Sequence, residues 1–266
     1  MNQAINLHHF QDSFFSHVVE RCVEECANHY TDRLVAVYVW GSVHRQEAVR
    51  GVSDLDLAVF VTETNEADTE WRNNHINGQL EKEFPDFAWG LIPPASTVNE
   101  APHDTVLTDT PQEQMRNLCA LHLLHNATLV FGRDVTAGLT LPPFDKSFAR
   151  RALSFDPMML ARYAAGLESE NKSDFALPSE PSLRLRKLAR LAVLGGALLL
   201  MSQGRYKSDK GADVLPLLST DNAQWARFLE RTRILYITPT ETTPTLVSEY
   251  SQELVSWLEW VQKSID

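Results

Sequence analysis

Cysteine is scarce in this chain, with only Cys22, Cys26 and Cys119 among 266 residues. Three thiols cannot staple a loop-rich fold, so stability must come from a hydrophobic core, and the usage suits a reducing compartment. Cys22 and Cys26 share a helical spacing with His29, which fits either metal ligation or small apolar residues packing inward. The opening MNQAINLHHFQDSFF has no basic start followed by an unbroken apolar stretch, so no secretory leader is expected. Long hydrophobic runs are missing as well. The most apolar segment, LAVLGGALLLM from Leu191 to Met201, is far short of the ~20 residues needed to span a bilayer and reads as a buried helix. Positive charge is in deficit, 24 basic against 35 acidic residues for a formal net charge of −11. A surface that tracks long nucleic acid needs the opposite balance and an aromatic-studded basic face, so polymerisation and tailing are disfavoured. Internal repeats and low-complexity tracts are absent. The expectation is a soluble, cytoplasmic protein with no membrane or long nucleic-acid partner.

What the chain does have is ordinary globular material, 44% hydrophobic and 22% charged, enough for two domains. Apolar residues at helical spacing (Phe10, Phe14, Phe15, Val18, Val19, Cys22, Val23, Cys26) predict an opening amphipathic helix over 5–29. Leu34 to Trp40 and Leu55 to Val61 read as buried strands, and Phe87 to Ile92 and Ala127 to Phe131 as two more. Helical segments are expected at 69–84 and 111–126. From about Asp145 the strand signals stop and helical periodicity covers 147–169, 182–203, 209–218, 221–236 and 245–264. Asp221 is a plausible N-cap for one of these, with Gln224 at capping-box spacing. The fold class is therefore α+β: a small mixed-sheet domain over 1–143, a boundary at Pro142-Pro143, and an all-α helical bundle over 144–266.

The stretch VYVWGSVHRQEAVRGVSDLDLAVFV, from Val37, carries the chemistry. Gly41-Ser42 follows an apolar strand directly, where a glycine lets the backbone turn tightly and approach a ligand. A short helix starting there, with the Ser42 hydroxyl, suits phosphate oxygens. After eleven intervening residues comes Asp54-Leu55-Asp56. In extended chain the two acids share one face about 6–7 Å apart, and repel by roughly 3 kcal/mol at an effective dielectric near 20. Water, a basic neighbour or a metal cation must offset that. Mg²⁺ takes one or two such carboxylates together with substrate phosphate oxygens, so a phosphate cradle beside a carboxylate pair is equipment for nucleotidyl transfer.

The pattern WGS, eleven residues, DLDLAVFV resembles the signature of the nucleotidyltransferase superfamily of the DNA polymerase β type. The two-domain layout is similar to the aminoglycoside adenylyltransferases, as is LCALHLLHNATLVFGRDV, a helix running into a short strand and a Phe-Gly turn. The resemblance covers residues 30–140 well and the helical half loosely. It implies that Asp54 and Asp56 hold two Mg²⁺ ions and that Gly41 and Ser42 hold the β and γ phosphates. It also implies a third acid, for which Asp86 at the head of the third strand stands as metal ligand or base; the plain alternative is a turn aspartate after Pro85. Glu81 and Glu83 are nearby acids on an expected exposed helix face. Ser53 either bonds a phosphate or caps the turn. His44 and Arg45, just past Gly41-Ser42, are candidates to touch the triphosphate, with a solvated turn residue the favoured reading for His44, and Arg50 is a further basic group in the connecting loop.

The resembled group carries an L-A-R-like helix and a Ser/Pro-Lys segment near the phosphates, matched here by Leu188-Ala189-Arg190 and Ser208-Asp209-Lys210. The interval between Arg190 and Lys210 is roughly two helical turns longer than in that pattern. For Arg184, Arg186, Lys187 and Arg190 the alternative is a solvated basic face. Gly195-Gly196 inside a helix costs about 1 kcal/mol per glycine, which close helix packing explains. Trp257 and Trp260 are expected to pack within the bundle rather than stack on a base.

The leading expectation is a Mg²⁺-dependent transferase moving AMP from ATP, or another nucleoside monophosphate from its triphosphate, to a hydroxyl of a small molecule. By resemblance an aminoglycoside is a candidate acceptor, suited to acidic residues such as Glu168, Glu170 and Asp174. The alternatives are a protein hydroxyl as acceptor, as in AMPylating or antitoxin-type relatives, and a nucleotide-binding regulator without transfer.

Overall fold

In the computed structural model of the chain, residues 5–50, 53–72, 74–75, 80–84, 96–97, 125–136, 146–171, 177–237 and 242–265 are described. Helix α1 (Ser13–Tyr30) lays Phe15, Val18, Val19, Cys22, Val23 and Cys26 along one buried stripe, the i, i+3, i+4 face its apolar spacing predicts. The helix starts later than that spacing suggests. Asp12 is the N-cap and its carboxylate accepts from the Phe14 N–H at 2.8 Å, so residues 5–12 run outside the helix. There the Asn6 N–H donates to the Val130 carbonyl at 2.8 Å. A local acceptor for the orphan amides won over continued periodicity.

Strand β1 (Leu34–Trp40) is built of β-branched and aromatic residues and lies centrally in the sheet. It leads into the one-turn helix α2 (Gly41–His44) and pairs antiparallel with β2 (Asp56–Val61). Helix α3 (Glu66–Trp71) and the short α4 (Glu81–Glu83) follow. Strand β3 (Ser96–Thr97) pairs parallel with β2, and β4 (Thr128–Gly132) pairs antiparallel with β1, for the order β3-β2-β1-β4. The sheet is thus small and mixed. One face (Val37, Val39, Leu57, Val59) packs with α1 in the main core. The opposite face is thinner, with Ala36, Tyr38, Phe60 and Val135. The strand expected at 87–92 and the helix expected from 111 lie outside the described residues, save for its last two positions.

An ion network ties α1, α3 and the turn that precedes β1 together. Asp68 completes a capping box with Asn65, accepts from both terminal nitrogens of Arg33 at 3.0 Å and meets His29 Nε2 at 2.8 Å. Burial alone would lift its carboxyl, but Arg33, the Asn65 N–H and His29 outweigh that and hold it down at about 2. His29 stacks on Trp71 at 4.0 Å between centroids.

The second half is helical: α5 (Lys146–Ala164), α6 (Pro181–Ser202), α7 (Gly211–Asp221), α8 (Ala226–Ile237) and α9 (Pro244–Ile265). The chain divides into two compact units, Met1–Val106 with Met115–Leu141, and Leu107–Gln114 with Pro142–Asp266. Helix α6 is buried nearly all round from Leu185 to Met201 and packs with α5, α7, α8 and α9, as an apolar helix must. Its two glycines are contact points. A Cβ on Gly195 would meet Leu258, and one on Gly196 would collide with Leu218. Trp257 is fully buried, donates from Nε1 to the Ala192 carbonyl at 3.2 Å, and packs with Trp225, Phe228 and Trp260. The bundle reading of these tryptophans holds. Asp221 is not the N-cap of α8. It ends α7 and its carboxylate takes the Arg205 guanidinium at 2.6 Å, so an ion pair claims the oxygens that a cap would use. Among the described residues no helix is long and apolar enough to cross a membrane.

Candidate active site

Register places Asp56. Trp40 and Asp56 are the last partners of the β1–β2 ladder, and Leu55 and Leu57 on either side of Asp56 are buried in the core. Asp54 is exposed and Asp56 half-buried. Immediately after Trp40 the chain turns at Gly41, with φ +65°. A Cβ there would strike Oδ2 of Asp56 and lie 2.8 Å from its Cγ. The position needs glycine twice over, for its left-handed backbone and for the carboxylate resting against its Cα.

Next to it, the Ser42 hydroxyl is buried and has no hydrogen-bond partner among the described residues. Leaving such a group unsatisfied costs about 1–3 kcal/mol, an expense that an acceptor oxygen of a ligand would remove. The turn closes as a Schellman motif. The Gln46 N–H donates to the Val43 carbonyl at 3.1 Å and the Glu47 N–H to the Ser42 carbonyl at 3.0 Å. The left-handed position is held by Gln46, φ +61°, where a non-glycine residue costs roughly 1–2 kcal/mol.

The basic and polar residues around the turn have structural partners. Arg45 is buried and its Nε donates to Glu47 at 2.9 Å. His44 is not a solvated turn residue. It is half-buried, its Nδ1 meets Thr128 Oγ1 at 2.9 Å, and its ring stacks on His9 at 5.0 Å. Ser53 is buried and its hydroxyl accepts from the Val49 N–H at 2.9 Å, which is the turn-capping arrangement. The Arg50 guanidinium lies 4.4 Å from the Phe14 ring centroid. Asp86 lies outside the described residues. Glu83 is exposed and paired with Arg21 at 3.1 Å, on the α1 side of the unit.

In the helical unit Arg190 donates to the Asp209 carbonyl at 2.7 Å and to its carboxylate. Asp209 is buried. The guanidinium therefore holds the segment that carries Lys210, linking two positions the sequence separates by nineteen residues. Ser208 donates to Asp213 at 2.6 Å and accepts from the Lys210 N–H at 3.1 Å, which shapes the entry to α7. Among the described residues the half-buried Lys210 ammonium forms no ion pair. Arg184, Arg186, Lys187 and Arg190 are all half-buried rather than a solvated face, and Arg184 Nε donates to the Pro178 carbonyl at 2.8 Å.

The structure thus brings Asp56 against Gly41, with Ser42 next in the chain, in the sheet unit, and holds Arg190 on Asp209, the neighbour of Lys210, in the helical unit. Cys22 and Cys26 are buried in the α1 core, with burial raising both thiols and pushing Cys26 up to about 12, so they serve packing. Glu168 pairs with Arg162 at 3.2 Å, Glu170 is exposed, and Asp174 lies outside the described residues. Among the described residues no group of three or more His, Cys, Asp or Glu side chains converges as a metal cage. Sequence reasoning missed the Arg190–Asp209 link and the contacts of His9. No spacing rule would have found either, because both join distant segments.

Neither a family model nor a curated protein matches the chain. Among solved structures it is similar to the spectinomycin adenyltransferase AAD(9) from Enterococcus faecialis, determined with ATP and spectinomycin. The identity is 14%, the match covers 91% of this chain and 98% of that one, and the TM-score is 0.52. The likeness is one of fold, which in this chain is α+β, a small mixed sheet together with a set of helices.

Proposed function

We propose that the protein is a Mg²⁺-dependent nucleotidyltransferase that moves AMP from ATP to a hydroxyl of a small molecule of the aminoglycoside class. The observation that carries this is the Asp56 carboxylate resting on Gly41, beside a buried Ser42 hydroxyl that has no hydrogen-bond partner among the described residues. The donor set fits a hard cation. The two carboxylates, Asp54 and Asp56, supply the one or two protein oxygens that Mg²⁺ takes when phosphates provide others. When bound, the metal supplies charge neutralisation on the triphosphate and makes the acceptor hydroxyl more acidic.

The chain's own residues then have separable duties. Ser42 donates to a phosphate oxygen, and Gly41 admits the phosphates close to the backbone. Asp54 and Asp56 hold the cation. The acceptor oxygen forms a bond to the α-phosphorus as the bond from that phosphorus to the β-phosphate oxygen breaks, and pyrophosphate leaves with the electron pair. The hydroxyl proton goes to a carboxylate, the role proposed for Asp86. Lys210 is the cation proposed to meet charge on the leaving phosphates. Arg190 acts through Asp209, by holding the segment that presents Lys210. Ser53 keeps the loop between α2 and β2 closed. We place the nucleotidyltransferase domain at 1–143 and the helical domain at 144–266.

The acceptor class draws on two supports: the neighbour of like fold was solved with spectinomycin, and a net charge of −11 attracts cationic substrates. Incubation with labelled ATP, Mg²⁺ and an aminoglycoside panel tests the proposal. Label on the drug is expected. Label on protein would shift the reading to a protein-modifying enzyme, and tight nucleotide binding without transfer to a regulator.

A further inference from the structure

Residues 5–12 run beside the α2 turn and exchange side-chain bonds with it. The His9 ring nitrogen Nε2 lies 2.7 Å from the His44 carbonyl. A carbonyl only accepts, so that nitrogen carries its hydrogen and donates. In return the Gln46 side-chain amide donates to the His9 carbonyl at 2.7 Å. The His9 and His44 rings stack with planes 13° apart. The near end of the segment is tied to the sheet by the Asn6 N–H on Val130. The far end enters α1 through the Asp12 cap.

The identity of residue 46 is otherwise unexplained. Its backbone is left-handed, at the Schellman position that glycine fills most easily. Glycine has no amide to reach His9. A glutamine there makes sense if the bond to His9 is what the position is for.

We propose that segment 5–12 is a strap, and that His9 and Gln46 are positioning residues which hold the Gly41-Ser42 turn in register with Asp56 for a nucleoside triphosphate. The inference rests on the nucleotidyltransferase reading of the site. The strap acts on the turn's C-terminal carbonyl and its left-handed corner, so the C-terminal end of the one-turn helix keeps its place. The Ser42 hydroxyl and the Gly41 backbone are thereby pre-set before ligand arrives, which lowers the ordering that binding would otherwise require.

Three variants separate the bond from bulk and from fold stability. His9→Phe keeps a ring to stack on His44 but has no donor. His9→Gln restores a donor near the place of Nε2. Gln46→Gly relieves the left-handed corner while deleting the amide, so its melting temperature should stay within about 3 °C of the parent. We expect faster amide hydrogen exchange across 41–47 in His9→Phe and Gln46→Gly. We also expect ATP affinity, measured by calorimetry with Mg²⁺, about fivefold weaker in His9→Phe and about threefold weaker in Gln46→Gly, with His9→Gln close to the parent. Parental exchange in both His9→Phe and Gln46→Gly overturns the strap. Faster exchange with undiminished ATP affinity overturns its positioning role. A parent chain that binds no ATP overturns the reading of the site, and the strap's hold on the turn is then judged by exchange alone.

Discussion

Gly41 and Asp56 form the pair on which the chemistry turns, and each can be tested against the other. Gly41→Ala adds a methyl where the Asp56 carboxylate lies, so the acid must swing away and the residue must hold an unfavourable φ. The expected result is a stability loss of about 1–2 kcal/mol with transfer reduced at least about a hundredfold, measured as kcat/KM beside a urea melt. Asp56→Asn keeps the shape and removes the charge, so transfer should vanish with the melt unchanged; substantial residual turnover would remove Asp56 from the metal site. At this scale the sequence was highly legible. Strand, Gly-Ser and Asp-x-Asp could be read in order because each is a local pattern on consecutive residues. What could not be read was which polar side chains already have partners: Ser53 on Val49, Arg45 on Glu47 and Arg190 on Asp209.

Helices and strands carry the next set of consequences. The Asp68 network joins α1, α3 and the turn before β1, and its pH dependence has a definite sign. The folded carboxyl sits at about 2, below its ordinary 3.8, so the ionised form stabilises the native state above pH 3.8. That contribution, about 2 kcal/mol, fades as pH falls from 3.8 through about 2. Asp68→Asn should lower stability at neutral pH and flatten the acid limb of a stability–pH curve over that window. In the helical unit two terms compete at Gly196. Alanine would improve helix propensity by about 1 kcal/mol, but its Cβ collides with Leu218 and meets Val214 at 3.1 Å. Overpacking costs about 1–3 kcal/mol, so Gly196→Ala should lower the melting temperature. Periodicity found most of these helices, yet it ran α1 back to residue 5 and offered Asp221 as a cap. Apolar spacing continues through Phe10, and only the bond from Asp12 to the Phe14 N–H shows where the helix begins.

Across the whole molecule, ligand linkage gives the broadest test. A triphosphate that binds only the folded chain stabilises it by about 2.7 kcal/mol at one hundred times its dissociation constant. Mg²⁺ with ATP should therefore raise the melting temperature of the parent, EDTA should abolish the rise, and Asp54→Asn with Asp56→Asn should show none. An equal rise without divalent cation would exclude the metal from binding. The α+β composition, the two strands that frame the turn, the alternation that buries Leu57 and Val59 and the excess of acidic residues are all consequences of residue order, since pleat, period and charge act over a few neighbours. The rest awaited folding: Asp56 against Gly41, the Ser42 hydroxyl buried with no partner among the described residues, Arg190 closing on Asp209, His9 and Gln46 exchanging bonds. Each of these joins segments that meet only after the chain has collapsed, and a hydrogen bond between distant residues leaves no period in the sequence to detect.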